Sequence, residues 1–538
     1  MLEKRMPRWF WLILALTLTT PFWDLGHPLI EVDDARYAEI PREMAVSGDW
    51  ATPRLNEIDY VEKPPLWYWL AAASYRVFGM SPAAARAPLA LLALLGMLGT
   101  AWLGSWLYGA RVGWIAAVLH ATSALGFMLA HLITPDMGLC VCLLWCSAFL
   151  LRALLRPEDG AWAAPAAWAC AGFAFLSKGL VGIVFPAAWA AILWALWPRT
   201  RPNFKTLARP LGPAAFLLIA APWFILMEHR HPGFLRFFFY EHHVQRFLTE
   251  KFNRSNPWWF YLVVLPAGLL PWTGAVAAGL ARAVADWRMS RDGRGLALAA
   301  WAILIVIFFS RSHSKLVTYI LPVFPHLAIL GARGVESMAS PRWLNRAGAT
   351  AGVFLLAAAA AAWPAARLLP AAEIPAPALP WLAGAILAAW GLALTCCGRG
   401  RRAVLAGACA GLVSGGLALA GMRTAMSSLS AADISAAVVQ RSQPGDLLYT
   451  YGTYLHGLPY YAGRRVDRMI NWWGELEYGY RDARVRAERF GGHDLISSLP
   501  LPDRRVFVVC RKRDASFVLS LGKVRQAQAF GRWVLVEY

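Results

Sequence analysis

Charge is scarce in this chain. Of its 538 residues only 16% are Asp, Glu, Lys or Arg, where soluble globular domains carry about a quarter. That shortage excludes a large soluble enzyme. Acidic groups are the rarer sign, 32 against 52 basic ones, leaving a net charge of +20. Catalytic signatures are missing as well. There is no H-E-x-x-H or C-x-x-C motif, and no nucleophile elbow, Walker loop or Rossmann fingerprint in a supportive context. The eight Cys form no disulfide framework or zinc ribbon. Cys140, Cys142, Cys146, Cys170, Cys396, Cys397 and Cys409 lie in apolar segments, where a free Cys acts as a small hydrophobe, and Cys510 stands alone near the end. No solenoid-type repeat is visible.

Apolar surface is what the chain has in abundance: 58% of its residues are hydrophobic and 28 are Trp. Apolar stretches long enough to cross a bilayer as helices, about 20 residues, recur throughout. The pattern predicts a polytopic α-helical membrane protein with about 13 transmembrane helices. Their expected limits are 9–25, 84–107, 112–131, 134–152, 162–177, 179–197, 211–227, 258–280, 296–310, 316–332, 347–363, 381–397 and 403–422. The first, Trp9 to Trp23, is similar to a signal peptide, but no small-residue cleavage site follows it, so it reads as a retained helix.

The basic residues test this count. With Lys4, Arg5 and Arg8 in the cytoplasm, the alternate loops carry Arg111, Arg152 with Arg156, then Arg199 to Arg209, Arg282 to Arg294, Arg333 to Arg346, and Arg399 to Arg402. Lys and Arg collect on the cytoplasmic side, so this alternation predicts an odd number of spans and an external C-terminus. The positive charge is thereby read as topology with some contact to lipid phosphates, and no nucleic-acid partner is implied.

The external face then receives loops 26–83 and 228–257, the turn at Thr134-Pro135-Asp136, Ser177-Lys178-Gly179, Arg311 to Lys315, and the Pro-rich connector 364–380. Residues 424–538 lack a spanning segment. Asp446 to Tyr451, Val506 to Val509 and Trp533 to Val536 read as short buried strands, with helices at Asp433 to Gln440 and Ala515 to Leu521. The domains expected are a membrane domain, 1–423, with its external loops, and a small external α/β domain, 424–538.

Every notable polar residue falls on the external side: Asp33, Asp34, Arg36, Tyr37, Tyr60, Glu62, Lys63, Asp136, Lys178, Glu241, His242, His243, Arg246, Arg311, His313, Lys315 and Tyr319. Ionisable groups are costly at a membrane unless they line a site. Asp33 and Asp34 head a helix-like stretch, Asp34 to Met44, that fits an amphipathic helix at the interface. Glu62-Lys63-Pro64-Pro65 stiffens a helix entrance, where a Lys is well placed for a phosphate. Glu241-His242-His243 admits a metal, or interfacial polar residues beside the aromatic run Phe237 to Tyr240. Asp136 fits a helix N-cap, and Lys178 a helix-end residue reaching for water. In the tail, Tyr451, Tyr454, His456 and Tyr461 suit either a glycan surface or a core.

The order of these motifs is similar to that of a known family. Asp33-Asp-Ala-Arg36-Tyr37-Ala-Glu39-Ile, then Pro53-Arg54-Leu55-Asn56, then Tyr60-Val-Glu62-Lys63-Pro-Pro resemble the lipid A aminoarabinose transferases. These belong to the GT-C fold together with oligosaccharyl- and protein-mannosyltransferases. The resemblance continues through Thr134-Pro135-Asp136, Ser177-Lys178-Gly179, His243-Val-Gln-Arg246 and Lys315 to Pro322, and into the tail at Tyr451 to Tyr461 and Gly474 to Gly479.

The resemblance implies transfer of a sugar, 4-amino-4-deoxy-L-arabinose, from undecaprenyl phosphate to lipid A or another glycolipid. It places the reaction at the periplasmic face of a bacterial inner membrane. It implies Asp33 as the key acid and Arg36, Tyr37, Tyr60, Lys63 and Tyr319 around the donor. It extends substrate contact to Asp136, Lys178 and Arg246. It also implies a divalent metal, zinc or magnesium, on Glu62 and His243. One departure stands out: His242 occupies a position where many relatives have Glu, leaving the metal ligand open between the two His. Competing readings are a different sugar or acceptor on the same fold, and a transporter or flippase. Transporters place ionisable groups at mid-membrane in paired repeats, which this chain does not do.

Overall fold

A computed structural model describes residues 6–245, 256–336, 353, 356–357, 360, 383–390, 401–499, 501 and 504–538. The chain splits into two compact units, Met1–Trp23 with Leu89–Gly421, and Asp24–Pro88 with Met422–Tyr538. The segments expected at 347–363, 364–380 and 381–397 fall wholly or largely outside the described residues.

The first unit is helical. Five described helices are long and apolar enough to span a membrane: Pro82–Tyr108, Pro135–Leu155, Leu211–Arg230, Arg294–Arg311 and Val404–Thr424. The expected spans elsewhere meet shorter or broken helices. The segment 112–131 is interrupted at Ser123 between Ala110–Thr122 and Ala124–Leu129. The segment 258–280 divides into Phe260–Gly268 and Thr273–Ser290, bent by 105°. Pro271 at this break has no N–H to continue a helical ladder. The segment 316–332 opens as a tight turn, Val317–Val323, before the helix Phe324–Glu336.

Close helix packing in this unit depends on small residues. A Cβ on Gly279 would lie 1.9 Å from the Leu330 carbonyl oxygen, and one on Gly334 would lie 2.2 Å from that of Ala275. Several buried polar groups find partners inside the bundle, where water is excluded. Trp189 Nε1 donates to Ala297 O at 2.9 Å and Trp301 Nε1 to Pro322 O at 3.0 Å. His326 stacks on Trp301 and lies 2.9 Å from Ser147 Oγ.

The second unit is α/β. Two short strands, β1 (Arg54–Leu55) and β2 (Ile58–Asp59), form a hairpin. Its turn residues Asn56 and Glu57 have φ of 56° and 61°, the left-handed pair that a tight hairpin needs. The larger sheet contains β3 (Leu447–Tyr451), β4 (Arg468–Ile470), β5 (Phe490–Gly491), β6 (Val506–Arg511), β7 (Gln526–Phe530) and β8 (Trp533–Glu537). Their order is β5-β4-β3-β6-β8-β7. β3 runs parallel to β4 and β6, while β8 is antiparallel to β6 and β7. The strands expected from sequence are β3, β6 and β8. The expected helices are Ala432–Arg441 and Ala515–Leu519.

The loop 26–83, read from sequence as part of the membrane domain, lies within Asp24–Pro88, which groups by its contacts with the tail. Asn56 explains part of this grouping. Its Nδ2 donates to Val466 O at 2.9 Å, and Val466 N donates to its Oδ1 at 2.8 Å. Leu29 N donates to the Tyr461 hydroxyl at 2.6 Å. The helix Asp33–Ser47 ends at Gly48, φ 75°. It is not the one-faced interfacial helix expected: 10 of its 15 residues are buried, because the helices Leu66–Phe78 and Gly457–Ala462 pack on it.

Candidate functional site

Asp33 and Asp34 both occupy the first turn of the helix Asp33–Ser47, where carboxylates complement the helix dipole. Their surroundings differ. Asp34 Oδ2 accepts from Ile30 N at 3.0 Å and pairs with Arg86, whose guanidinium also donates to Leu25 O at 3.0 Å and His27 O at 2.5 Å. Asp33 keeps 51% of its side chain exposed and pairs with Arg36, three residues on and therefore on the same helical face.

Arg36 is the hub. Its side chain is only 5% exposed. Nη1 lies 2.8 Å from Glu475 Oε1, and the guanidinium sits 5.1 Å from the Tyr37 ring centre and 6.0 Å from that of Tyr60. Burial opposes its charge, yet Tyr60, Tyr37, Asp33 and Glu475 together hold its pKa above the ordinary Arg range. Tyr37 stacks on Tyr68. Burial pushes the Tyr60 hydroxyl well up, so Tyr60 is a neutral donor, 3.2 Å from Glu62 Oε2.

Lys63 follows at once, its Nζ 3.4 Å from Glu62 O. Pro65 then caps the helix Leu66–Phe78, the helix entrance that the double Pro predicts. Two bonds lock this helix to its neighbour: Trp67 Nε1 donates to Tyr37 O at 2.8 Å, and the Tyr75 hydroxyl to Ala38 O at 3.0 Å. Asp33, Arg36, Tyr37, Tyr60 and Glu62 thus form one chain of contacts, with Lys63 joined to its end. The arrangement combines an open carboxylate with two cations and neutral phenols, which suits an anionic ligand carrying a sugar.

The helical unit holds a second cluster. Asp136, in the first turn of Pro135–Leu155, pairs with Lys178, the last residue of Gly160–Lys178. Lys178 Nζ also lies 4.3 Å from the Tyr319 ring centre. Lys315 donates to Asn256 O at 2.8 Å and Ser312 O at 2.6 Å, which occupies its ammonium with structural bonds. His242 is buried and stacks on Phe237. The side chain of His243 and the whole of Arg246 lie outside the described residues.

Among the described residues no three His, Cys, Asp or Glu side chains gather as metal ligands. The expected ligand His243 has its side chain outside those residues. No motif in the sequence connects Glu475, Glu31 or His456 to the donor site. The Gly474-Glu475 motif was visible in sequence, but no local pattern ties it to Arg36. Tyr454 and His456, open to a glycan reading from sequence, are buried at 4% and 1% exposure and belong to the core.

Residues 62–226 match the family model described as dolichyl-phosphate-mannose-protein mannosyltransferase. An undecaprenyl phosphate-alpha-4-amino-4-deoxy-L-arabinose arabinosyl transferase of Erwinia tasmaniensis is 33% identical over 316 residues, 56% of this chain and 54% of its own. Its counterpart 1 of Sodalis glossinidius is 32% identical over 396 residues, 69% of this chain and 68% of its own. The chain belongs to this arabinosyl transferase family. Its alignment with several such relatives spans little more than half of their length, 54% for Erwinia tasmaniensis and 60% for Edwardsiella ictaluri.

The likeness in three dimensions is broader. ArnT from Cupriavidus metallidurans, in a crystal structure bound to undecaprenyl phosphate, superposes with a TM-score of 0.85 at 28% identity and covers 98% of both chains. The archaeal oligosaccharyltransferase AglB from Archaeoglobus fulgidus shares the fold alone, with a TM-score of 0.53 at 12% identity over 94% of this chain and 70% of that one. The family member described here is a multi-pass membrane protein of the GT-C fold, as its motifs implied.

Proposed function

We propose that this protein is a glycosyltransferase that moves 4-amino-4-deoxy-L-arabinose from undecaprenyl phosphate to lipid A, at the periplasmic face of the bacterial inner membrane. The observation that carries the reading is the match over 98% of both chains to a relative bound to undecaprenyl phosphate. The Asp33–Arg36–Tyr60–Glu62 cluster supports it with chemistry suited to a sugar phosphate.

In the reaction the bond from the sugar's anomeric carbon to the carrier phosphate breaks, and its electron pair stays on the phosphate oxygen. The sugar carbon becomes cationic as an acceptor oxygen approaches. Lys63 and Arg36 hold the donor phosphate and stabilise the charge that develops there, which is preorganised electrostatic catalysis; the donor roles of Arg246 and Tyr319 rest on the family resemblance alone. Tyr37 and Tyr60 flank the sugar, and Asp136 and Lys178 add substrate contacts. Asp33 has two roles open to it. Toward a hydroxyl acceptor it is a general base. Toward a lipid A phosphate, already nucleophilic, it orients the sugar through its amino group and stabilises cationic character.

The test is transfer in proteoliposomes from purified undecaprenyl phosphate-aminoarabinose to lipid A, read by mass spectrometry. A gain of one aminopentose on lipid A supports the reading. Vectorial movement of lipid without a new glycosidic bond would replace it with a flippase. Transfer to another glycolipid or a protein would keep the chemistry and change the acceptor. The divalent ion expected on Glu62 and His243 is tested separately, by elemental analysis of the purified protein and by transfer after chelation.

A further inference from the structure

We propose that His456 is a positioning residue for the donor site: clasped between Glu31 and Glu475, it fixes the Glu475 carboxylate against Arg36, and Arg36 in turn orients Asp33. The inference rests on the transferase reading above for its effect on activity, while the clasp itself stands on geometry.

His456 is 1% exposed. Its Nδ1 lies 3.5 Å from Glu31 Oε2 and its Nε2 lies 3.7 Å from Glu475 Oε2. The other oxygen of Glu475 is 2.8 Å from Arg36 Nη1, and Arg36 pairs onward with Asp33. One carboxylate therefore joins the imidazole to the guanidinium. Glu31 is held just as firmly on its own side. Its two oxygens accept from His456 N at 2.8 Å and Gly457 N at 2.6 Å. The edges of Tyr454 and Trp472 close the space around the ring, at centroid distances of 5.0 and 6.2 Å.

A neutral imidazole in this place would leave the Glu31 carboxylate, 9% exposed, beside no charged His456 and Glu475 with Arg36 as its remaining cation, a costly change for a shielded acid pair. The charge balance follows that logic. Burial disfavours a charged His456, yet Glu31 and Glu475 outweigh it and raise its pKa above the ordinary His value. Glu39, from the helix Asp33–Ser47, lies within Coulombic range of it. Burial likewise disfavours an ionised Glu475, yet His456 and Arg36 hold it well below the usual carboxylate range. The shifts of His456 and Glu475 both favour a charged clasp. It opens as pH rises through the raised His456 pKa, which places an alkaline limb on the activity profile.

The experiment uses the full-length protein, purified undecaprenyl phosphate-aminoarabinose and lipid A. His456→Gln is expected to lower kcat about tenfold or more, with donor KM within about twofold, and to abolish the alkaline limb. A variant that keeps the parent kcat and the same limb would overturn the proposal. If His456→Gln does not accumulate, Glu475→Gln decides. Its side chain is 26% exposed, so the fold tolerates it, and removing one carboxylate should move the limb to lower pH. A limb that stays in place overturns the proposal equally. Titration of the His456 imidazole by NMR reads the clasp without any activity. A parent that transfers no sugar but shows a raised His456 pKa refutes the transferase reading and leaves the clasp intact. An ordinary pKa, lowered no further by Glu475→Gln, refutes the clasp whatever the enzyme transfers.

Discussion

Asp34 and Arg86 form an ion pair in which neither side chain is more than 2% exposed, while Asp33, one residue earlier, leaves half of its side chain open. Adjacent carboxylates thus have opposite duties. Removing one partner of a buried pair costs about 3–5 kcal/mol. Asp34→Asn is therefore expected to lower the thermal midpoint sharply and to reduce the yield of folded protein. Asp33→Asn should fold normally and lose nearly all transfer. Equal thermal midpoints for the two variants would contradict this division.

Lys63 starts from a stiff helix entrance, and its role as phosphate ligand predicts a large effect of charge removal. Lys63→Met should reduce kcat/KM by about 30-fold or more, equivalent to roughly 2 kcal/mol of transition-state stabilisation. A lysine that merely anchors to headgroups would lose less than about threefold, and the phosphate role would then pass to Arg36 or Lys178.

The Asp136–Lys178 pair beside Tyr319 is expected to act through substrate binding. Lys178→Met should raise donor KM about tenfold and change kcat less. Steady-state kinetics at several donor concentrations separate the two. A pure kcat effect would move Lys178 from binding to chemistry.

Glu43 supplies a pH dependence of stability. Burial, aided by the neighbouring Glu39 carboxyl, pushes its pKa up to about 8. Between the ordinary Glu value, about 4.3, and about 8, the folded state keeps a proton that the unfolded state has released. Stability therefore falls as pH rises through that window and levels off above it. Thermal scans of the detergent-solubilised protein should show this slope, and Glu43→Gln should flatten it.

Gly457 gives a steric test of the same region. A Cβ there would lie 2.8 Å from Glu31 Oε1 and 3.3 Å from the Ala431 Cβ. Overpacking of this kind costs about 1–3 kcal/mol. Gly457→Ala should lower the thermal midpoint by several degrees, and a midpoint equal to the parent would show that Glu31 has room to retreat.

Local signals made much of this protein legible from its residues alone. Long apolar runs announced a membrane protein, because each must bury its backbone in its own hydrogen bonds. The double Pro announced the helix that begins at Leu66, and buried β-branched runs announced β3, β6 and β8. Motif order announced the family and drew attention to Asp33, Arg36, Tyr60, Glu62 and Lys63. Strands β4 and β5 escaped notice, being three and two residues long, and β7 did so because its Gln-Ala alternation carries only small apolar side chains at an exposed sheet edge. The break at Ser123 and the 105° bend before Thr273 escaped as well, since hydropathy counts length and not direction.

Tertiary structure alone decided which of two neighbouring Asp is buried, because that depends on Arg86 being folded back onto the loop. It alone decided that Glu475 and His456 stand behind Arg36. Sequence patterns report a residue's neighbours along the chain, within a helical turn or a strand pair. A charge network assembled from both ends of the chain is written in no such pattern, and only the packing of residues 24–88 with the tail brings its members into Coulombic range.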